Sequence, residues 1–176
     1  MTRKLHLPLT QPLRLLAGLC ILTAVLPAAA QPAASSACAQ FPEALVRKAF
    51  AVPQGQALEN RAGATCRWSW TDGGRKQDVS VNFLRSARPN TIDLLFARMR
   101  DGFTQEVRGQ QITVAPKQVK WVGGVGDKAF WNEDLSQLAV YGGQRLFYVN
   151  VNMGGMTTPQ KIEAASAAAR AIVDAL

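Results

Sequence analysis

Two Gly-Gly turns, each set between stretches of alternating apolar and polar residues, constrain the fold more than any other feature of this sequence. The turns are Asp72-Gly73-Gly74 and Gly142-Gly143. The flanking stretches run from Cys66 to Trp70, from Val79 to Phe83, from Leu138 to Tyr141 and from Leu146 to Val151. Alternation with a period of two is typical of a strand with one buried face, and Gly-Gly between two such stretches predicts a hairpin. We therefore expect an antiparallel sheet built around two hairpins.

Three segments show helical periodicity instead. A short helix is expected from Phe41 to Phe50, a second one after Asn90 or Thr91, and a last one from Thr157 or Thr158. The apolar face of the second helix consists of Ile92, Leu95, Phe96, Met99 and Phe103, and that of the last consists of Ile162, Ala165, Ala169, Ile172, Val173 and Leu176. Each face provides the apolar stripe that a helix needs to pack on a sheet.

Further short strands are expected at residues 112–114, 119–122 and 129–131. Strands interrupted by helices in this order predict an α+β fold. The predicted architecture is an antiparallel sheet built from two hairpins plus extra strands, with about three helices packed on it.

The two hairpins also share a short internal similarity. Val79-Ser80-Val81-Asn82 in the first resembles Val149-Asn150-Val151-Asn152 in the second, and each segment precedes a capped helix. The similarity favours two related hairpin-plus-helix units, although chance remains an alternative for so short a match.

Residues 1–30 have the composition of a secretory signal peptide. Basic residues come first, residues 15–26 are apolar and uncharged, and Ala28-Ala29-Ala30 offers small residues for cleavage. We therefore predict a signal peptide over 1–30, a flexible lead-in over 31–37 and a single α+β domain over 38–176. The mature protein would be periplasmic or secreted, with no transmembrane segment after signal removal. An uncleaved anchor and lipidation at Cys20 are the alternatives.

Removing the signal would remove His6, the only histidine of the chain. Ser-His-Asp and Cys-His catalysis would then be impossible, and standard zinc sites would lack their usual ligand. We predict no catalytic residue, no metal site and no cofactor. Two kinds of chemistry stay open, a serine–lysine dyad and a carboxylate pair. The candidate carboxylates are Asp72, Asp78, Asp127, Glu133 and Asp134.

Two cysteines, Cys38 and Cys66, would remain in the exported chain. An even number of cysteines in an exported domain predicts a disulfide. A redox-active pair is the weaker interpretation, because the Cys-x-x-Cys spacing that tunes thiol reactivity is missing. Free thiols are the remaining alternative.

The charge of the chain favours anionic partners. The whole sequence has 20 Lys and Arg against 12 Asp and Glu, and removal of Arg3, Lys4 and Arg14 with the signal leaves a surplus of +5. Such a surplus gives mild attraction to phospholipid head groups or cell-wall polymers. It is too small and dispersed to predict nucleic-acid binding.

Four tryptophans are the best indication of a binding site. Trp68 and Trp70 share one face of a strand, which predicts core packing. Lys120, Trp121, Lys128 and Trp131 are instead the predicted binding surface, in which aromatic rings and lysine head groups would meet sugar faces, phosphates or carboxylates.

The order of these segments resembles that of small exported bacterial domains with a PsbP-like α+β fold. The resemblance covers Cys38 to Leu176, through Cys66-Arg67-Trp68, the segment from Gly124 to Trp131, the Gly-Gly hairpins and the alanine-rich last helix. It implies a lipoprotein or sensor module, although no lipidated cysteine begins the mature chain here. Because that family is functionally mixed, the resemblance implies no catalytic residue.

These observations together predict a non-catalytic periplasmic or secreted binding or adaptor module for a protein or a cell-envelope component. The alternatives are a hydrolase that depends on carboxylates or on Ser and Lys, and an inhibitor or immunity-type partner of a secreted enzyme. An enzyme would bring at least two carboxylates into one cleft, whereas a binding module would expose an apolar or aromatic patch.

Overall fold

A computed structural model of the chain describes residues 37–84 and 87–176. The predicted signal peptide and most of the predicted lead-in lie outside the described residues. The described helices are α1 (Ala37–Gln40), α2 (Glu43–Ala49), α3 (Thr91–Asp101) and α4 (Thr158–Asp174). The described strands are β1 (Glu59–Arg61), β2 (Thr65–Asp72), β3 (Arg75–Phe83), β4 (Phe103–Val107), β5 (Gln110–Val114), β6 (Val119–Val122), β7 (Lys128–Asn132), β8 (Gln137–Gly142) and β9 (Arg145–Asn152).

The two predicted hairpins form the centre of a seven-stranded antiparallel sheet. The order of its strands is β1-β2-β3-β9-β8-β7-β6, so that β3 of the first hairpin pairs with β9 of the second. Strands β4 and β5 pair only with each other, as a separate two-stranded sheet. The predicted α+β class, with two hairpins, extra strands and helices packed on the sheet, is confirmed.

The internal similarity noted in the sequence lies at the junction of the two hairpins. Val79 is opposite Val151 and Val81 is opposite Val149, while Ser80 is opposite Asn150. Because side chains alternate between the faces of a sheet, the valines of both strands point to one face and the polar residues to the other.

The valine face carries the main core. Helices α2 and α4 cover it, and buried side chains on it include Trp68, Trp70 and Phe147. The last helix contributes small residues, with Ala165, Ala168 and Ala169 fully buried, which brings it close to the sheet. The prediction that Trp68 and Trp70 are core residues agrees with their exposures of 8% and 5%.

Helix α3 covers part of the opposite face. It lies over β6, β7 and β8, where its Ile92 packs with Phe130, Ala139, Tyr141 and Leu146. Tyr148 lies at the border of this second cluster, and its burial raises the pKa of its hydroxyl. This face is thus apolar beneath α3 and polar on the strands beyond it.

The structure differs from the sequence-based boundaries near α1, at the end of α3 and at the end of α4, where Leu176 lies beyond the last helical residue, Asp174. Phe103 was assigned to the apolar face of α3 but is the first residue of β4, a strand that was not predicted. Gly102 separates them, with a φ of +73° and so little space that an added Cβ would lie 2.7 Å from the carbonyl oxygen of Val114. Ala37, assigned to the flexible lead-in, begins α1 and is buried.

The predicted disulfide is confirmed. Cys38 of α1 and Cys66 of β2 are bonded, with the sulfur atoms 2.06 Å apart. The bridge ties α1 to the sheet, and the nearby indole nitrogen of Trp68 donates a hydrogen bond to the carbonyl oxygen of Phe41 at 2.9 Å. Within the described residues, none of the helices combines the length and apolar character needed to cross a membrane.

Candidate binding surfaces

The four residues of the predicted binding surface lie on opposite faces of the sheet. Lys120 pairs with Trp131 across β6 and β7, and both point to the face covered by α4. Trp121 pairs with Phe130, and together with Lys128 it points to the face covered by α3. The structure therefore places Lys120 and Trp131 on one face and Trp121 and Lys128 on the other, so the four residues do not form one surface.

Trp131 is a core residue, with only 1% of its surface exposed. Its indole nitrogen donates to Oε2 of Glu133 at 3.1 Å, and Oε1 of the same carboxylate accepts from the hydroxyl of Thr158 at the start of α4. A shallow cavity of about 230 Å³ lies here, lined by Gln118, Val119, Lys120, Trp131 and Glu133. Trp131 and Glu133 thus join the end of β7 to α4, and Lys120 lies at the rim.

Lys128 is engaged on the other face. Its ammonium nitrogen lies 2.7 Å from Oδ2 of Asp93, so this ion pair links β7 to α3. Both side chains are about half exposed, and pairs in such positions contribute at most about 1 kcal/mol. Lys128 consequently connects β7 with α3 through this ion pair.

Trp121 belongs to an exposed aromatic surface. Its ring stacks on Phe96 of α3, with centroids 4.2 Å apart and planes inclined by 20°, and Phe130 meets both rings edge-on from beneath. Trp121 is 47% exposed, whereas Phe130 is 3% exposed. We call Phe96 and Trp121 together the aromatic surface, in which the half-exposed ring of Trp121 and the partly buried ring of Phe96 lie on the buried ring of Phe130.

An arginine borders the aromatic surface. The guanidinium of Arg100 lies 6.0 Å from the centre of the Phe96 ring and makes two hydrogen bonds to Asp101, of 2.7 and 2.9 Å. These hydrogen bonds lower the pKa of Asp101 and raise that of Arg100. The pair stays charged at neutral pH and places a cation beside the rings.

The sequence did not predict a ladder of polar side chains on the sheet. The ladder lies on the same face as α3, next to the part that α3 covers. Gln137 donates to Asn150 at 2.6 Å, and Asn150 donates to Ser80 at 3.2 Å. In the next row, Asn152 and Arg67 bind the same carboxylate oxygen of Asp78, at 2.9 and 2.8 Å. The available signal was the similarity between residues 79–82 and 149–152, which places Ser80 opposite Asn150 once β3 and β9 pair.

Asp78 is the most buried charge of this ladder, with 7% of its surface exposed. The guanidinium of Arg67 balances it, and their hydrogen bond raises the pKa of Arg67. Because these polar groups bind one another, the ladder fixes the pairing of β2, β3, β9 and β8.

The candidate carboxylates are bound to separate parts of the protein. Asp78 belongs to the polar ladder, Glu133 binds Trp131 and Thr158, and Asp134 accepts a hydrogen bond from the backbone nitrogen of Gln118 at 3.1 Å. Asp72 ends β2 and Asp127 precedes β7. In the described part of the chain, no three His, Cys, Asp or Glu side chains are grouped closely enough to hold a metal ion.

Among the described residues, one serine–lysine contact is present. Lys161 of α4 donates to the hydroxyl of Ser136 at 3.3 Å, and Ser136 lies in the turn between β7 and β8 with a φ of +46°. In this contact Lys161 donates and the hydroxyl of Ser136 accepts. The contact ties the turn to α4, close to the Glu133–Thr158 hydrogen bond.

A groove of about 410 Å³ runs between α2 and α4 on the outside of the helical layer. Its floor consists of small or apolar side chains, and Lys48, Gln160 and Glu163 contribute polar groups to its lining. Different alanines of α4, namely Ala164, Ala167 and Ala171, line this groove, and their small side chains leave the depression.

Comparisons of the chain with models of known protein families, with curated proteins and with solved structures find no match. The chain is therefore described from its own structure. It is an α+β domain that carries a disulfide, a seven-stranded antiparallel sheet and an exposed aromatic surface.

Proposed function

We propose that this chain is an exported, non-catalytic binding module for a protein or a cell-envelope component, and that the aromatic surface is its contact site. The observation that carries the proposal is the half-exposed ring of Trp121 stacked on Phe96. The disulfide supports export to the periplasm or the medium, because disulfides persist in oxidising compartments. The alternative of an inhibitor or immunity-type protein has a secreted enzyme as its partner.

The exposure of Trp121 is unusual within this chain. The other three tryptophans have 8% or less of their surface exposed. A large apolar ring that remains in water contributes to binding when a partner covers it, and tryptophan and arginine are enriched among residues that dominate binding energy. Phe130 and Phe96 hold the ring in place, so little side-chain entropy is lost when a partner binds.

The charge of the exported chain favours an anionic or acidic partner. The predicted mature chain has a surplus of five positive charges, and Arg100 lies beside the aromatic surface. Because Asp101 already pairs with Arg100, the attraction comes mainly from the charge surplus of the whole chain. The rings beside this ion pair suit partners that combine an apolar or sugar face with a phosphate or carboxylate. Cell-wall polymers, anionic lipid surfaces and acidic proteins all have this chemistry.

The proposal predicts that Trp121→Ala weakens binding at least about thirtyfold, because loss of a central anchor typically costs about 2 kcal/mol or more. Leu135→Ala is the matched control, since Leu135 is 50% exposed in the β7–β8 turn, away from the aromatic surface. Binding is measured by co-sedimentation with isolated cell-wall sacculi and with vesicles that contain anionic phospholipid. Chemical crosslinking in the periplasm tests whether a protein binds at this surface.

A second readout uses the ring itself. Trp121 is the exposed tryptophan, so its fluorescence should be quenched by iodide in the free protein and protected in the complex. The proposal is contradicted if the wild-type chain binds none of the three probes, or if Trp121→Ala binds as well as Leu135→Ala.

A serine–lysine hydrolase is the second candidate, and the 3.3 Å contact between Lys161 and Ser136 favours it. We expect a fluorophosphonate probe to leave the wild-type chain unlabelled, because Lys161 already donates to this hydroxyl. Mass spectrometry after incubation with the probe checks this expectation. Labelling at Ser136 that disappears in Lys161→Met would favour the hydrolase over the binding module.

A further inference from the structure

The β4–β5 hairpin is a two-stranded sheet with an incompletely covered apolar face. Phe103, Val107, Ile112 and Val114 share that face with two glutamines, Gln105 and Gln110, according to the register of the two strands. The guanidinium of Arg98 covers the Phe103 ring at 4.0 Å, but Val107 is 38% exposed and Ile112 is 43% exposed. A two-stranded hairpin alone is only marginally stable in water, so further strands paired to its edge would stabilise it.

Strand β5 also differs from the other open edges of the two described sheets. Edge strands usually carry charged side chains that prevent pairing with another chain. Here β1 has Glu59 and Arg61, β6 has Lys120 and β4 has Glu106, whereas β5 carries none. The uncharged segment extends from Gly109 to Pro116. This edge therefore lacks the usual protection.

The hairpin turn shows which backbone groups of β5 are free to pair. Arg108 and Gly109 form a two-residue turn with φ values of +53° and +79°, which is type I′ geometry. Val107 and Gln110 flank the turn and form a hydrogen-bonded pair, and such pairs alternate along an antiparallel ladder. The N–H and C=O groups of Gln111 and Thr113 consequently point away from β4.

We propose that β5 pairs antiparallel with β5 of a second copy of this chain, around a two-fold axis at Ile112. Gln111 of each copy then lies opposite Thr113 of the other, and their outward groups form four backbone hydrogen bonds. Ile112 faces its counterpart in a non-hydrogen-bonded pair, in which side chains approach most closely. The two hairpins become one four-stranded sheet.

The absence of charge in β5 favours a second copy over an unrelated strand. When two identical strands pair about a two-fold axis, the central residue faces itself, and any charge there would be repelled by its own copy. An apolar residue at the centre, between Gln111 and Thr113, avoids this repulsion. The pairing involves β5 alone and does not depend on what the aromatic surface binds.

A cysteine crosslink tests the register directly. Opposed residues of a non-hydrogen-bonded pair have Cα atoms about 4.5 Å apart, a separation that a disulfide can span. Ile112→Cys is therefore expected to form a covalent dimer under mild oxidation. The native cysteines do not compete for the new thiol, because they already bond to each other. Thr104→Cys, exposed on β4, is the control and is expected to stay monomeric.

Charged substitutions of opposite sign at Ile112 test whether the partner is a second copy of this chain. In light scattering after size exclusion, the exported wild-type chain should show twice the monomer mass at high concentration, whereas Ile112→Lys alone and Ile112→Glu alone should be monomers. An equimolar mixture of the two variants should recover the doubled mass. A wild type that stays monomeric at all concentrations, or a mixture that does not recover the dimer, overturns the proposal, provided that circular dichroism shows all chains folded.

Discussion

Removing the Cys38–Cys66 disulfide is expected to lower the free energy of unfolding by about 3 to 4 kcal/mol, the loop-closure value for a bridge of this span. The bonded residues are 28 positions apart. Without the bond, the unfolded chain gains conformations that the native state cannot use. This loss is a large part of the stability of an ordinary domain, which is about 5 to 15 kcal/mol.

The contacts around the bridge should be lost with it. The short helix α1 precedes Phe41, whose side chain is fully buried and whose carbonyl oxygen accepts the hydrogen bond from Trp68. A four-residue helix has little stability of its own. We therefore expect local unfolding of residues 37–41 before the sheet unfolds, visible as faster amide exchange in this segment.

The experiment compares urea unfolding of the wild type with that of a Cys38→Ser, Cys66→Ala double variant. Alanine is chosen at position 66 because Cys66 is fully buried and a serine hydroxyl there would add its own cost. Reducing agent should move the wild type to the midpoint of the double variant and leave the variant unchanged. An unaltered wild-type midpoint after complete reduction would contradict the expectation.

The central part of the fold was predictable because its signals are local. A Gly-Gly turn between alternating stretches specifies both partners of a hairpin within about 20 residues, as for β2 with β3 and β8 with β9. The pairing of β3 with β9 joins segments 70 residues apart, and no turn specifies it. Only the similarity between the two segments pointed to it, which is why the polar ladder was missed.

Helix α3 shows how a local pattern can mislead. Phe103 continues the helical spacing of Ile92, Phe96 and Met99, so periodicity alone extends the helix to it. The helix ends at Asp101 because Gly102 adopts a positive φ against the backbone of Val114. That contact exists only when the β4–β5 hairpin has formed, and the sequence of β4 lacks the alternation that would predict a strand.

The predicted binding surface failed for a different reason. Lys120 and Trp121 are neighbours in one strand, so the period of two already separates them by face. The sequence does not show which face a helix covers completely. Because α4 covers the face of Trp131 and α3 leaves the ring of Trp121 half exposed, one tryptophan is a core residue and the other belongs to the aromatic surface.

Trp131→Ala is expected to lower the free energy of unfolding by about 3 to 5 kcal/mol, the usual cost of removing a buried aromatic side chain. Trp131 is 1% exposed, and its loss would also leave Glu133 without the indole donor. Urea unfolding followed by far-ultraviolet circular dichroism measures the effect, with Trp121→Ala as the matched control. The control should lose much less stability, because its ring is already half exposed. Equal losses in the two variants would contradict the assignment of one ring to the core and the other to the aromatic surface.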